Sequence, residues 1–150
     1  MFRGASSIAL DQKGRIAVPA RYREKIHAAS DGEMIVTIDL VLPCLLLFPL
    51  NEWERLEQEL NKLSSTNPTH ARIKRILITH ASECELDKAG RILLPQMLRE
   101  HAGLNKDVVI AGLGKLFQIW QGEAWNEQIR KDIEQHRHEL TNEELPDLPF

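Results

Sequence analysis

Two short stretches of this chain place a carboxylate, a glycine and a guanidinium at one fixed spacing: Asp11, Gly14 and Arg15, then Asp87, Gly90 and Arg91. A glycine in such a turn supplies positive φ without a Cβ clash. The arginine that follows it can project from the loop end. Its guanidinium offers paired donors that match a phosphate or the O6/N7 edge of guanine. The aspartate four residues earlier can accept turn N–H bonds or hold the arginine in one rotamer. A plain Asp–Arg staple with no ligand explains a single turn of this kind just as well. Its recurrence is the more specific signal.

The turns are the centre of a longer repeat. Residues 10–23 match residues 86–99 at an offset of 76, with seven of fourteen positions identical: Leu, Asp, Gly, Arg, Ile, Pro and, at Arg23 and Arg99, Arg. At an offset of 72 the likeness continues, pairing Val36 with Val108, Leu47 with Ile119, Phe48 with Trp120 and Trp53 with Trp125. The change of offset is expected around Asp39 to Cys44, where the second copy has the shorter Gly112-Leu113-Gly114 turn. A repeat of this kind predicts two copies of one supersecondary unit.

The elements that must position the turns read alike in both copies. Alternating runs at Ser7–Leu10 and Cys84–Leu86 predict a strand before each turn, and Arg15–Val18 and Arg91–Leu94 predict one after it, as in a hairpin. Pro19 and Pro95 suit the first position of short helices over Pro19–Ala29 and Pro95–Ala102, the latter stopped by Gly103. Two strands follow in each copy, at Met34–Asp39 and Leu45–Phe48, then Val108–Ala111 and Leu116–Trp120. Asn51 is placed to cap a helix over Glu52–Leu63 with Trp53, Leu56, Leu60 and Leu63 on one face. Trp125, Ile129, Ile133 and Leu140 form the corresponding stripe. A turn-rich break at Ser64–Pro68 precedes a linking helix over Thr69–His80. The predicted organisation is a first repeat at 1–64, a linking helix at 65–81, a second repeat at 82–140 and a flexible acidic tail at 141–150.

Composition bounds the function. With 43% hydrophobic and 27% charged residues the chain reads as a globular protein, and no apolar run approaches a membrane span. Met1-Phe2-Arg3-Gly4 lacks the pattern of a secretory signal, so a cytoplasmic protein is expected. Cys44 and Cys84 sit in apolar surroundings without ligand spacing and read as buried thiols. The net charge of −3 hides an asymmetry: residues 1–27 carry six basic and two acidic side chains, residues 123–150 three basic and eight acidic. A polyanion responds to the local field, within roughly 8–10 Å at physiological salt, more than to the total. A mixed solvated surface would show a similar bias.

The stretches Met1-Phe2-Arg3-Gly4, Asp11-Gln12-Lys13-Gly14-Arg15, Val18-Pro19-Ala20-Arg21-Tyr22-Arg23 and His80-Ala81-Ser82-Glu83-Cys84, the last running into Asp87-Lys88-Ala89-Gly90-Arg91, resemble the MraZ family of bacterial transcriptional regulators, related in fold to AbrB and SpoVT domains. The likeness extends from Met1 to about Asp132. It implies an α+β, β-rich fold: two tandem AbrB-like swapped-hairpin, or double-split, β-barrel repeats with short flanking helices. It further implies a ring-shaped homo-oligomer that binds double-stranded DNA at direct repeats in the promoter of the division and cell-wall gene cluster, usually as a repressor, in the cytoplasm and associated with the nucleoid. Carried over by position, Arg15 is the DNA-contacting arginine with Lys13 beside it, Arg91 holds the same place in the second motif, and Arg3 adds a phosphate contact. Asp11, Gly14, Asp87 and Gly90 orient the loops. Ala89 stands where the first motif has Lys13, so the second loop is expected to bind more weakly or to serve in packing. Arg21, Arg23 and Lys25, on the helix after Pro19, read as a solvated or salt-bridged face.

Two other classes are weaker. For an enzyme, the six histidines show no recognised metal spacing and neither cysteine nor any serine sits in a nucleophile context, so no cofactor, metal or catalytic residue is expected. An antitoxin-like module would use an extended tail to hold its partner, a role the acidic C-terminus leaves open. An RNA binder would need an aromatic stacking platform that the sequence lacks.

Overall fold

The structure, a computed structural model, describes residues 1–139 and 146–149. In chain order the elements are β1 (Phe2–Ala9), β2 (Arg15–Ala17), α1 (Ala20–Ser30), β3 (Glu33–Ile38), β4 (Leu45–Pro49), α2 (Leu50–Asn61), α3 (Pro68–Thr79), β5 (Ser82–Glu85), β6 (Arg91–Leu93), α4 (Gln96–His101), β7 (Asp107–Gly114), β8 (Phe117–Gln121) and α5 (Gly122–Glu139). The fold is α+β and strand-rich, as the resemblance implied. Leu140 and most of the 141–150 tail lie outside the described residues.

The two copies exchange strands. The six-stranded antiparallel sheet runs β1-β7-β8-β4-β3-β5, and a separate ladder pairs β2 with β6. Strand β1 of the first copy therefore pairs with β7 of the second, and β5 of the second with β3 of the first. The expected hairpin within one copy does not form as a ladder. Leu10 and Ile16 make only an isolated bridge, and the partner of β2 is its own counterpart, β6. The registers define an approximate twofold axis. It passes between Ile16 and Ile92 in the small ladder and between Leu46 and Gln118, where β4 meets β8.

The same registers correct the alignment of the copies. Met34 pairs with Cys84 and Val108 with Ile8, so Met34, not Val36, is the counterpart of Val108, and β3 relates to β7 by an offset of 74. The offset thus changes in two steps of two, one between helix and third strand and one in the loop after it. Both steps are even. In a strand an even step keeps each side chain on its own face, so the core pattern survives both.

Alternation along the strands fills one main core. Ile16, Val18, Val36, Leu45, Leu47, Leu94, Ile110, Phe117 and Ile119 are fully buried there, with contributions from both copies. Strand β1 begins at Phe2, five residues before the expected Ser7, although most of its side chains are exposed. What anchors it is Phe2, whose ring lies 4.2 Å from that of Phe117, and close backbone approach to β7. Gly112 permits that approach, since a Cβ there would stand 2.6 Å from the backbone nitrogen of Arg3.

Helix starts follow one rule, which moves α1 and α4 one residue later than expected and α2 two residues earlier. Pro19, Pro49 and Pro95 are the residues just before α1, α2 and α4, not the first helical residues. Consequently α2 starts at Leu50, Asn51 does not cap it, and Leu63 lies beyond its end. Trp53 and Leu60 are its buried residues. Asn67 does cap α3, its side chain accepting from the backbone N–H groups of Thr69 and His70 with Pro68 following. The α5 stripe is looser: Ile133 is 47% exposed and no residue of the described helix is fully covered. Among the described residues no helix is long and apolar enough to cross a membrane.

Candidate nucleic-acid interface

The two Asp-x-x-Gly-Arg turns are built bond for bond alike. Asp11 Oδ1 accepts from the backbone N–H of Lys13 and of Arg15, each at 2.9 Å. Asp87 Oδ1 does the same for Ala89 and Arg91, again at 2.9 Å. Each turn is closed by main-chain bonds between the aspartate and the glycine and arginine, and Gly14 and Gly90 hold φ at +83° and +76°. Glycine is required there for the backbone alone.

A second constraint on those glycines comes from the opposite copy. A Cβ on Gly14 would stand 2.7 Å from Cζ of Arg99, and one on Gly90 would overlap the guanidinium of Arg23. Each of these arginines is fixed by donating from Nε to a carbonyl of its own copy, Arg23 to Val18 at 2.8 Å and Arg99 to Leu94 at 2.9 Å. The backbone is tied likewise: Val18 N–H donates to the Gly90 carbonyl and Leu94 N–H to that of Gly14, both at 2.9 Å. Arg23 and Arg99 recur because each braces the other copy's turn. Of the face expected to be solvated or salt-bridged, Arg21 and Lys25 are exposed and Arg23 is half-buried, and all three are tied by hydrogen bonds rather than ion pairs. Arg21 reaches the Ser6 and Tyr22 hydroxyls, and Lys25 reaches the Met1 carbonyl.

The remaining carboxylate oxygen holds the guanidinium of the turn's own arginine. Asp11 Oδ2 accepts from Arg15 Nε at 2.8 Å, and Asp87 Oδ2 from Arg91 Nε at 3.0 Å. Two backbone N–H donors and a guanidinium around each carboxylate, led by the backbone N–H of its arginine, hold both below the ordinary 3.8. Nε is the atom that each guanidinium commits to its aspartate, and the edge of the two terminal nitrogens is not used in that bond. That edge is the one suited to two parallel acceptors.

Ladder geometry brings both arginines to one surface. Ile16 and Ile92 point into the core, so Arg15, Ala17, Arg91 and Leu93 share the opposite, solvent-facing side of the β2–β6 ribbon. Arg15 and Arg91 occupy one diagonal, a spacing of roughly 7–8 Å between backbones. Their side chains are 27% and 36% exposed, neither enclosed. Lys13 lies exposed in the first turn. Lys88, which sequence reasoning passed over, lies exposed in the second, one position earlier than the alignment sought it. Charge is therefore kept in both turns although Ala89 replaces the lysine. A comparison of Gln12-Lys13 with Lys88-Ala89 as pairs would have found it. Arg3 is not part of this patch: it lies exposed near the far end of β1, opposite Leu113, and its carbonyl accepts from the Tyr22 hydroxyl. Among the described residues no cluster of His, Cys, Asp or Glu side chains is arranged to hold a metal ion.

A family model described as "MraZ protein, putative antitoxin-like" matches the chain twice, over residues 1–76 and 77–146. A protein of Yersinia pseudotuberculosis named transcriptional regulator MraZ is 52% identical over 150 residues, covering 99% of both chains. The protein of that name from Serratia proteamaculans is 52% identical, and one from Yersinia pestis 51%, each over the same extent.

Proposed function

The chain belongs to the MraZ family, and on that premise we propose that it is a sequence-specific regulator of transcription that grips double-stranded DNA with the paired arginine turns. One observation carries the reading: both guanidinium groups are held through Nε by their own aspartates on the solvent-facing side of a two-stranded ribbon. The DNA major groove is about 12 Å wide and admits such a ribbon, and a guanidinium edge matches guanine O6 and N7. Arg15 and Arg91 are the base-reading groups. Lys13 and Lys88 hold phosphates on either side, and Arg3 lies too far along β1 to share their contacts. The aspartates and glycines orient, and nothing in the site performs chemistry.

The subunits act as a homo-oligomer, closed as a ring. Leu40 and Val41 in the β3–β4 loop and Leu113 beside the β7–β8 turn are exposed at opposite ends of the sheet, and the α5 stripe is partly bare, which supports packing between copies on more than one side. A ring is the closed form of a head-to-tail contact, and its polarity suits direct repeats in a promoter better than palindromes. Several linked contacts can add about 10²–10⁴ in avidity over one. The protein then acts in the cytoplasm at the nucleoid, as a repressor of the division and cell-wall gene cluster.

Selection of bound sequences from random duplex DNA, followed by a salt titration on the winner, tests this. The wild type is expected to enrich a repeated element. Arg15→Ala is expected to lose specific binding while its oligomer size and thermal midpoint stay unchanged. An Arg15→Ala protein that binds the selected duplex like the wild type would sink the assignment.

A further inference from the structure

We infer that Leu93 is a specificity-determining contact, an apolar surface that receives the 5-methyl group of a thymine next to the base read by Arg15. The inference rests on the DNA-facing reading of the β2–β6 ribbon.

Leu93 is 55% exposed and stands in the middle of the cationic face, directly across the ladder from Arg15. Leu94 N–H donates to the carbonyl of Gly14, which makes Arg15 and Leu93 a pair without mutual hydrogen bonds. In that type of pair the backbones approach to roughly 4.5 Å and the side chains lie closest. The leucine therefore sits against the stem of Arg15, level with it, facing whatever the guanidinium faces. An isobutyl group has no use for a phosphate. Against DNA its complement is the thymine methyl, the apolar group displayed on a major-groove base edge.

The repeat supplies an internal contrast. Across the ladder from Arg91 stands Ala17, the counterpart of Leu93. The backbone is symmetric about Ile16 and Ile92, yet one arginine has a leucine neighbour and the other a methyl group. A face built this way reads different bases at its two ends. A single subunit therefore has a direction on DNA, as binding to direct repeats requires.

The test is a thermodynamic cycle on the duplex that the wild type selects from random DNA. Replacing every thymine by deoxyuridine removes the methyl groups and leaves the pairing intact. The wild type is expected to lose about 5-fold in affinity, the scale of one buried methyl-sized group. Leu93→Ala is expected to lose a similar factor on thymine DNA and to be indifferent to deoxyuridine. Single replacements should trace the effect to one thymine beside a guanine. Ala17→Leu should shift selection toward a more symmetric element with a second thymine. Equal binding of wild type to both duplexes overturns the inference, as does a Leu93→Ala protein that still loses 5-fold on deoxyuridine. A Leu93→Ala protein of altered oligomer size also overturns it, by making the leucine a contact between copies. Failure of the DNA reading itself would look different, with wild type selecting no sequence at all.

Discussion

The guanidinium of Arg23, a first-repeat residue, occupies the space where a side chain on Gly90 of the second repeat would have to be. The turn that presents Arg91 is thus completed by the opposite copy. Gly90→Ala combines a positive φ with a steric overlap, and Arg23 can withdraw only by giving up its bond to the Val18 carbonyl. A loss of about 1–3 kcal/mol in unfolding free energy is expected by denaturant titration. In an Arg23→Ala background the same change should cost less, by about 0.5 kcal/mol or more, because only the backbone strain remains. Strict additivity would count against the brace.

Asp11 is expected to act on Arg15 by orientation alone. Asparagine at position 11 can still accept the turn N–H bonds, but its amide would face Arg15 Nε donor to donor. Binding to the selected duplex should fall about tenfold or more by fluorescence anisotropy, with oligomer size unchanged. The acid limit follows from the same bonds. Because the folded carboxyls of Asp11 and Asp87 titrate below 3.8, what they add to the turns is complete above that value and is lost as pH falls through the depressed one. Amide resonances of Lys13 and Arg15 should hold their positions from pH 8 to about 4 and move only below it.

Lys13 and Lys88 should differ from the arginines in what their loss changes. Each is exposed, and its side chain makes no hydrogen bond or ion pair among the described residues. Replacing either by alanine should weaken binding to selected and unrelated duplexes alike. It should also reduce the slope of log K against log salt by about 1. A change confined to the selected duplex would make that lysine a base-reading group.

Burial of Cys44, with Asp39 adding a smaller effect, pushes its thiol up to about 12, and burial does the same for Cys84. Neither is then a thiolate at pH 8. Both should resist an aromatic disulfide reagent in the native protein and react together once it is unfolded by denaturant. Fast native labelling of either would place it at a surface.

The turns were legible because their chemistry is local: aspartate, glycine and arginine within five residues carry the whole hydrogen-bonding pattern. Their duplication was legible for the same reason. Strand partners were not, since Ser7–Leu10 and Arg15–Val18 read as a hairpin when only neighbours along the chain are considered. The choice of β7 and β6 as partners depends on Ile92 and Phe117, more than 75 residues away. The start of β1 stayed hidden because Arg3-Gly4-Ala5-Ser6 has no apolar alternation; backbone pairing with β7 makes it a strand. The braces from Arg23 and Arg99 showed only as a recurrence, whose reason required the opposite turn in place.

Exchange of β1 into the far half has a consequence during synthesis. This strand is made well before its partner β7, which emerges about 100 residues later and at roughly 5–20 residues per second leaves it waiting for about 5–20 s. Its exposed, mostly small and polar side chains suit that interval, since a nascent strand without a greasy face gives neighbouring chains on a polysome little to stick to. Phe2, its buried ring, is the one side chain that must stay unoccupied until Phe117 arrives to receive it.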